Sequence, residues 1–305
     1  MTDLTSKIFR SRNAARHHLE AIRWPNGPYC PHCGEAENVK RMEGKSHTPG
    51  LCYCRSCRKK FSITVGTLFE RSHIPLHKWL LASHLMVASK KGVSAHQLHR
   101  MLGITYKSAW FMAHRLREAM RDFNPGPMGG ENKTVEADES FVGGKAKNKA
   151  FGDPPKKEAV FALVEREGKV RSFHVPAVNA KTLRPILVTQ IDRKSYLMTD
   201  EAGAYVAVGS EFAEHGTVNH SIKEYVRGGF WHTNTVESYF SILKRGITGN
   251  YQWVSAKHLK RYLGEFDFRY NTRDVTDMER ATLAARGIQG KRLTYRRAGG
   301  REARA

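Results

Sequence analysis

Two cysteine pairs, Cys30-Pro31-His32-Cys33 and Cys54-Arg55-Ser56-Cys57, constrain this chain more than any other feature. Each CxxC knuckle lets two thiolates converge on one ion, and four thiolates complete a tetrahedral Zn²⁺ shell. Residues 34–53 separate the pairs, a spacing at the edge of the usual zinc pattern. Gly34 suits the tight turn that aims backbone N–H groups at the sulfurs. All the cysteines lie between Cys30 and Cys57, and Met1 to Arg10 holds no apolar signal-peptide core. The chain is therefore expected in the reducing cytoplasm, where such clustering points to metal rather than disulfides. One structural Zn²⁺ on Cys30, Cys33, Cys54 and Cys57 is the expectation; four reduced, metal-free cysteines are the competing reading. Cys52 would share the face of Cys54 in a strand, as a bystander or a substitute ligand. His32 and His47 read as ordinary polar residues.

Charge says what such a ribbon would meet. Over 305 residues, 51 Lys and Arg against 29 Asp and Glu leave +22. Self-repulsion on that scale opposes compaction unless a polyanion is usually near, and nucleic acid is the commonest one. Around the second knuckle Arg55, Arg58, Lys59 and Lys60 interleave with Tyr53 and Phe61, a surface suited to phosphates. No run approaches the roughly 18 apolar residues that span a bilayer, so the expected partner is DNA, without membrane, and the expected location is nucleoid-associated.

The remaining organisation follows from pattern. Residues 1–26 read as an N-terminal helix closed by Trp24-Pro25, 27–69 as the zinc ribbon, and 73–122 as helices. Within the helices, Ser94 as N-cap and Gly103 as turn outline a helix-turn-helix-like DNA-binding segment. Its second helix, from Thr105, would offer Tyr106, Lys107, His114, Arg115 and Arg117 to DNA; a plain helical hairpin is the alternative. Residues 123–133, beginning Phe123-Asn124-Pro125-Gly126, form a turn-rich linker. Alternating strand-like and helix-like segments follow from residue 134, the pattern of an α/β catalytic domain over 134–275. The basic tail, 276–305, contains Arg292 and Arg296-Arg297 and reads as a flexible DNA-contacting arm.

Three acidic segments carry the chemistry. In Thr134-Val135-Glu136-Ala137-Asp138-Glu139-Ser140, strand alternation places Thr134, Glu136, Asp138 and Ser140 on one face, before the glycine turn Gly143-Gly144. A polar row in a central strand is costly unless it lines a site; an edge strand is the alternative. Ser195 to Asp200 reads as a buried strand ending in an acid, where open α/β sheets bind ligands, or as a helix N-cap. His232 to Gly246 reads as a helix in which Glu237, Ser241 and Lys244 share a face. There, Asn234 and Glu237 could equally make a capping box. Two strand-borne aspartates and a helix-borne glutamate can hold two Mg²⁺ or Mn²⁺ ions about 4 Å apart. Lys244 and Arg245 lie along the same helix to grip phosphate.

CPHCG, CRSC, FSITVGTLFERSHIPLHKWL, VEADESFVGG, LMTDEAGAY, HTNTVESYFSILKRGITGNY and RYLGEFDFRYN together resemble the zinc-ribbon DDE transposases of bacterial insertion sequences, over roughly residues 15 to 271. The resemblance implies an RNase H-like mixed sheet flanked by helices. It implies cleavage at element ends and transfer of the 3′-hydroxyl into target DNA, with a homodimer or larger assembly on DNA. Asp138 and Asp200 match the first two family carboxylates. The third position varies in the family, and both Asn234 and Glu237 occur here; Glu237 is favoured because a carboxylate binds Mg²⁺ better than an amide. The alternatives are a DNA-binding regulator with an inactive catalytic domain, an RNase H-like nuclease, and a nucleoid scaffold.

Overall fold

The structure, a computed structural model, describes residues 4–122, 125–143, 157–201, 203–218 and 232–294. Phe123, Asn124, Gly144, Ala202 and Arg296-Arg297 lie outside the described residues. The chain divides into two compact units: residues 1–89, 93–120 and 275–305 form the first, and 90–92 with 121–274 the second.

In the first unit, helix α1 (Arg12–Arg23) starts where Ser11 accepts a hydrogen bond from Ala14 N–H and ends at Trp24. Three short strands follow, β1 (Val39–Arg41), β2 (Cys52–Cys54) and β3 (Lys60–Phe61), paired antiparallel in that order. Buried Glu20 of α1 accepts from Arg16 and from Arg41 of β1, at 2.7 and 3.0 Å, which ties helix to ribbon. Trp24 meets Phe61 edge-on. Then come α2 (Leu76–Ala88), α3 (Ala95–Leu102) and α4 (Tyr106–Met120). Ser94 caps α3 by accepting from Gln97 N–H, and Gly103 closes it at φ 58°, the left-handed cap conformation that glycine adopts at least cost.

A helix stands where the sequence predicts the start of a flexible arm. Helix α9 will denote Asp277–Arg286. Thr276 and Glu279 form a reciprocal capping box at its start. Ala284, Ala285 and Ile288 are buried, and Arg280 donates to the Val87 carbonyl at 2.9 Å. Apolar burial and a capped start hold residues 276–294 in the first unit, so the arm reading is corrected for that stretch.

The second unit is a five-stranded mixed sheet with helices on both faces. Its strands are β4 (Thr134–Val142), β5 (Glu158–Glu165), β6 (Val170–Val175), β7 (Tyr196–Asp200) and β8 (Glu214–Val218), in the order β6-β5-β4-β7-β8. β4, β5 and β6 pair antiparallel, while β7 and β8 run parallel to β4. β4 is therefore central, and the edge-strand reading of its polar row is overturned. On one face, Val135, Ala137, Phe161 and Leu163 pack with Leu183 and Leu187 of α5 (Ala180–Gln190) and Val208 of α6 (Val206–Gly209). On the other, Val160 and Val164 pack with Val236, Phe240 and Leu243 of α7 (Asn234–Gly246) and Leu263 and Phe266 of α8 (Ala256–Asn271). The near-continuous apolar run of β5 is what a strand covered on both faces requires. Met128, in the segment expected to be a linker, is buried in this core and bridges to Ile191, while Gly126, Pro127 and residues 131–133 are exposed. No helix among the described residues is long and apolar enough to cross a membrane.

Candidate metal centres

The ribbon strands bring the two knuckles together. Cys30 Sγ lies 3.6 Å from Cys57 Sγ, and Cys33 Sγ 3.7 Å from Cys54 Sγ. Tetrahedral zinc with bonds of roughly 2.3 Å separates its sulfurs by about 3.8 Å, so this donor set fits Zn²⁺ in spacing and chemistry. Each knuckle is held by its backbone: Gly34 N–H donates to Cys30 carbonyl at 2.8 Å with φ 81° at Gly34, and Cys54 N–H donates to Lys59 carbonyl at 3.0 Å. The Cys57 backbone N–H, foremost among several donors, brings the Cys54 thiol down to about 7, towards the thiolate a metal needs. Cys52 is excluded from the set: it is buried, its thiol is pushed up by that burial, and it faces Gly50 carbonyl. Among the described residues, only Cys30, Cys33, Cys54 and Cys57 bring metal-ligating atoms all within 4.8 Å of one another.

The acidic site is looser and is built by three elements. β4 and β7 pair in parallel with Glu136 opposite Met198. Carried two residues on, that register sets Asp138 beside Asp200, the last residue of β7. Glu237 sits in the first turn of α7, the helix packed on β4's polar face. Burial, followed by the negative charges of Glu139, Asp200 and Glu237, pushes the Asp138 carboxyl up to about 7. The N–H of Glu139, donating to Asp138 Oδ1 at 2.7 Å, opposes this. Carboxylates crowded in this way are stabilised by a cation, and all-oxygen donors suit Mg²⁺ or Mn²⁺.

The sequence-predicted residues divide. Asp138 and Asp200 are half-buried, and Glu237 is exposed, accepting from Thr233 Oγ1 at 3.2 Å. Asn234, the first residue of α7, is exposed one turn before Glu237. The capping box considered for those two is not what forms: Thr233 is the N-cap, and it makes no side-chain cap bond. Glu237, Ser241 and Lys244 are exposed along one stripe of α7, with Arg245 beside them. Arg55, Arg58, Lys59 and Lys60 are exposed on the ribbon, and Lys107 near the start of α4.

Arg115 and Arg117, expected from the sequence to be DNA contacts, are corrected. Arg117 is 2% exposed, and His114 is buried beside it. Arg115 donates to the carbonyls of Leu293 and Glu70 at 3.2 and 3.3 Å and lies over Phe111. Arg117 is buried on the face of α4 that carries Met112, Leu116 and Met120, while Arg115 is half-buried against those two carbonyls.

Two side chains near the acidic site, Tyr205 and Arg166, carry no sign of their partners in the sequence. Tyr205 donates to Glu139, whose carboxyl is raised by burial, so the strand of VEADESFVGG is tied to the last residue of LMTDEAGAY. Arg166, after β5, pairs with Glu136. Strand alternation marks Glu136 as inward and polar, but nothing in the sequence names its partners.

Comparison with known proteins follows the same division. Residues 128–271 match the ISXO2-like transposase domain, and residues 10–60 the transposase zinc-ribbon domain. A protein of Halobacterium salinarum, described as an uncharacterized protein in transposable element ISH50, is 29% identical over 280 residues, covering 86% of this chain and 92% of its own. A chain from the simian T-cell lymphotropic virus intasome, solved with PP2A regulatory subunit B56 gamma, aligns at 17% identity and a TM-score of 0.29. It covers 56% of this chain and 63% of that one, a likeness too slight to carry argument.

Proposed function

Because the chain belongs to the zinc-ribbon DDE transposases of insertion sequences, we propose that it cuts DNA at the ends of its element and joins the freed 3′-hydroxyl to target DNA. The observation that carries this reading is the convergence of Asp138, Asp200 and Glu237 from β4, β7 and α7, close enough for their charges to help raise Asp138 to about 7. Those three carboxylates would hold two Mg²⁺ or Mn²⁺ ions, and Asp138 would give up its proton as a cation arrives. Such ions would supply Lewis-acid charge at a scissile phosphodiester. In the first step a water oxygen bonds to phosphorus and the 3′-oxygen leaves as a hydroxyl. In the second, that 3′-hydroxyl replaces the water and the target's own 3′-oxygen leaves.

The rest of the chain grips and orients. The Glu139 N–H fixes one oxygen of Asp138, and Tyr205 fixes Glu139 in turn. Lys244 and Arg245, exposed further along α7, would meet phosphates beside the cut. Arg55, Arg58, Lys59 and Lys60 on the ribbon and Lys107 on α4 are the proposed DNA contacts away from the chemistry. Asn234 stands as the alternative to Glu237, or as its neighbour in the same site. Joining two element ends needs two such sites, so a dimer on DNA is part of the proposal.

The test is a strand-transfer assay with Mg²⁺, supercoiled plasmid and labelled DNA from the ends flanking the protein's own gene. Label joined to plasmid by the native protein, and lost at least a thousandfold in Asp200→Asn while DNA binding changes less than twofold, is the expected result. Cut ends without joining would support a nuclease instead. Binding without cutting would support a regulator.

A further inference from the structure

Glu136 is a fully buried charge of the second unit. It lies on central strand β4, two residues before Asp138 and on the same face. A buried carboxylate persists only with full pairing, and Glu136 is fully paired. Oε2 accepts the backbone N–H groups of Thr235 and Val236 at 2.8 and 3.0 Å; Oε1 accepts Thr235 Oγ1 at 2.9 Å and Arg166 Nε at 2.8 Å. His232 Nδ1 lies 3.2 Å away. Arg166 also donates to the His232 carbonyl at 3.0 Å.

These partners are the opening residues of α7. The first N–H groups of any helix lack partners within it and carry the positive end of its dipole. Normally the N-cap side chain takes them, yet Thr233 does not. A carboxylate from the sheet takes them instead, in charge-assisted bonds. One strand thus carries both a site aspartate and the anchor of the helix bearing Glu237.

We propose that Glu136, with Arg166 as its counter-ion, is a positioning residue that clamps the first turn of α7 to β4 and so fixes Glu237 against Asp138 for cation binding. The proposal rests on the metal-site reading above for its purpose, though the clamp itself does not. Residues that orient metal ligands change affinity about 10- to 100-fold when lost.

The test uses the full-length zinc-loaded protein and Mn²⁺ as probe. Mn²⁺ binding is measured by titration calorimetry in wild type, Glu136→Gln, Glu136→Ala, Glu237→Gln and the Glu136→Ala/Glu237→Gln double variant. Amide exchange across residues 234–237 is followed in the same samples. Glu136→Ala is expected to weaken Mn²⁺ at least tenfold and to speed exchange in the first turn of α7. Glu136→Gln keeps one acceptor for the helix N–H groups and should restore part of both. In the Glu237→Gln background, Glu136→Ala should cost less than twofold further, because the residue it positions is already gone. Independent, additive losses would overturn the proposal, as would wild-type Mn²⁺ affinity in a folded Glu136→Ala. If Glu136→Ala does not fold, Arg166→Gln replaces it with the same expectations. Should wild type take up no Mn²⁺, the metal reading falls, and unchanged exchange at 234–237 in Glu136→Gln or Arg166→Gln would then overturn the clamp separately.

Discussion

At the scale of single residues, the acidic site holds charge in a place that resists it. Asp138 has a folded pKa of about 7 against an ordinary 3.8. A carboxyl raised in this way binds its proton more tightly folded than unfolded. Its contribution to stability is complete below about pH 4 and is lost as pH rises through about 7. In chelator, Asp138→Asn should therefore melt like wild type near pH 4 and be more stable by on the order of 1 kcal/mol at pH 7–8, as replacing a destabilising charged group often is. Melting curves that run parallel across that window would refute the burial and crowding assigned to Asp138. The same crowding explains why the residue suits a cation: the ion relieves what the fold imposes. Half-buried Asp267 is likewise pushed up to about 7 by desolvation, yet donors from Ser172 and Tyr239 surround it, and it ties α7 and α8 to β6.

At the scale of elements, the ribbon and the sheet depend on different forces. β1, β2 and β3 contain three, three and two residues, too few to form a stable sheet from burial alone. Four thiolates around one ion supply what the small core lacks, since metal binding free energy of about 10 kcal/mol is also folding free energy in such sites. Protein purified without chelator should carry one Zn²⁺ per chain by elemental analysis. Stripping it, or replacing Cys54 by Ala, should release the amides of Cys52–Cys54 to exchange at least a hundredfold faster and leave β4 and β5 unchanged. Loss of protection throughout, or none in the ribbon, would sink this division. The sheet needs no such ion: β5 is apolar on both faces, and each face is covered by helices.

At the scale of the whole molecule, +22 is the governing quantity. Each phosphate neutralised by Lys or Arg releases condensed counterions, so affinity for duplex DNA should fall steeply as salt rises. Arg58→Ala/Lys59→Ala/Lys60→Ala should flatten the slope of log affinity against log salt by about 2 to 3, near one for each phosphate no longer neutralised. The same change at Arg115 and Arg117 should not act this way. Arg115 is held by two backbone carbonyls and Arg117 is buried, and removing them should appear as lower thermal stability. A salt slope unchanged by the ribbon variants would place the DNA-binding surface elsewhere on the chain.

Local chemistry alone determined much of this protein. CxxC spacing predicts a four-sulfur site because thiolates so close in sequence can converge on one ion, and the sulfurs do converge. Ser94 and Gly103 bound α3 because capping and left-handed backbone are decided within a few residues. The period-2 row Glu136, Asp138, Ser140 marks an inward polar face for the same reason. The Thr276–Glu279 capping box of α9 is equally local, but the basic composition of the tail obscures it. What only the tertiary structure decided lies between segments distant in sequence. Nothing local reveals that Glu136 caps a helix 99 residues later, or that Arg166 completes it. Nor does a single helix's pattern say which of its arginines a neighbouring carbonyl will claim. Local rules act over one turn or one strand step, whereas a buried charge is assigned its partner by whichever elements the whole core brings against it.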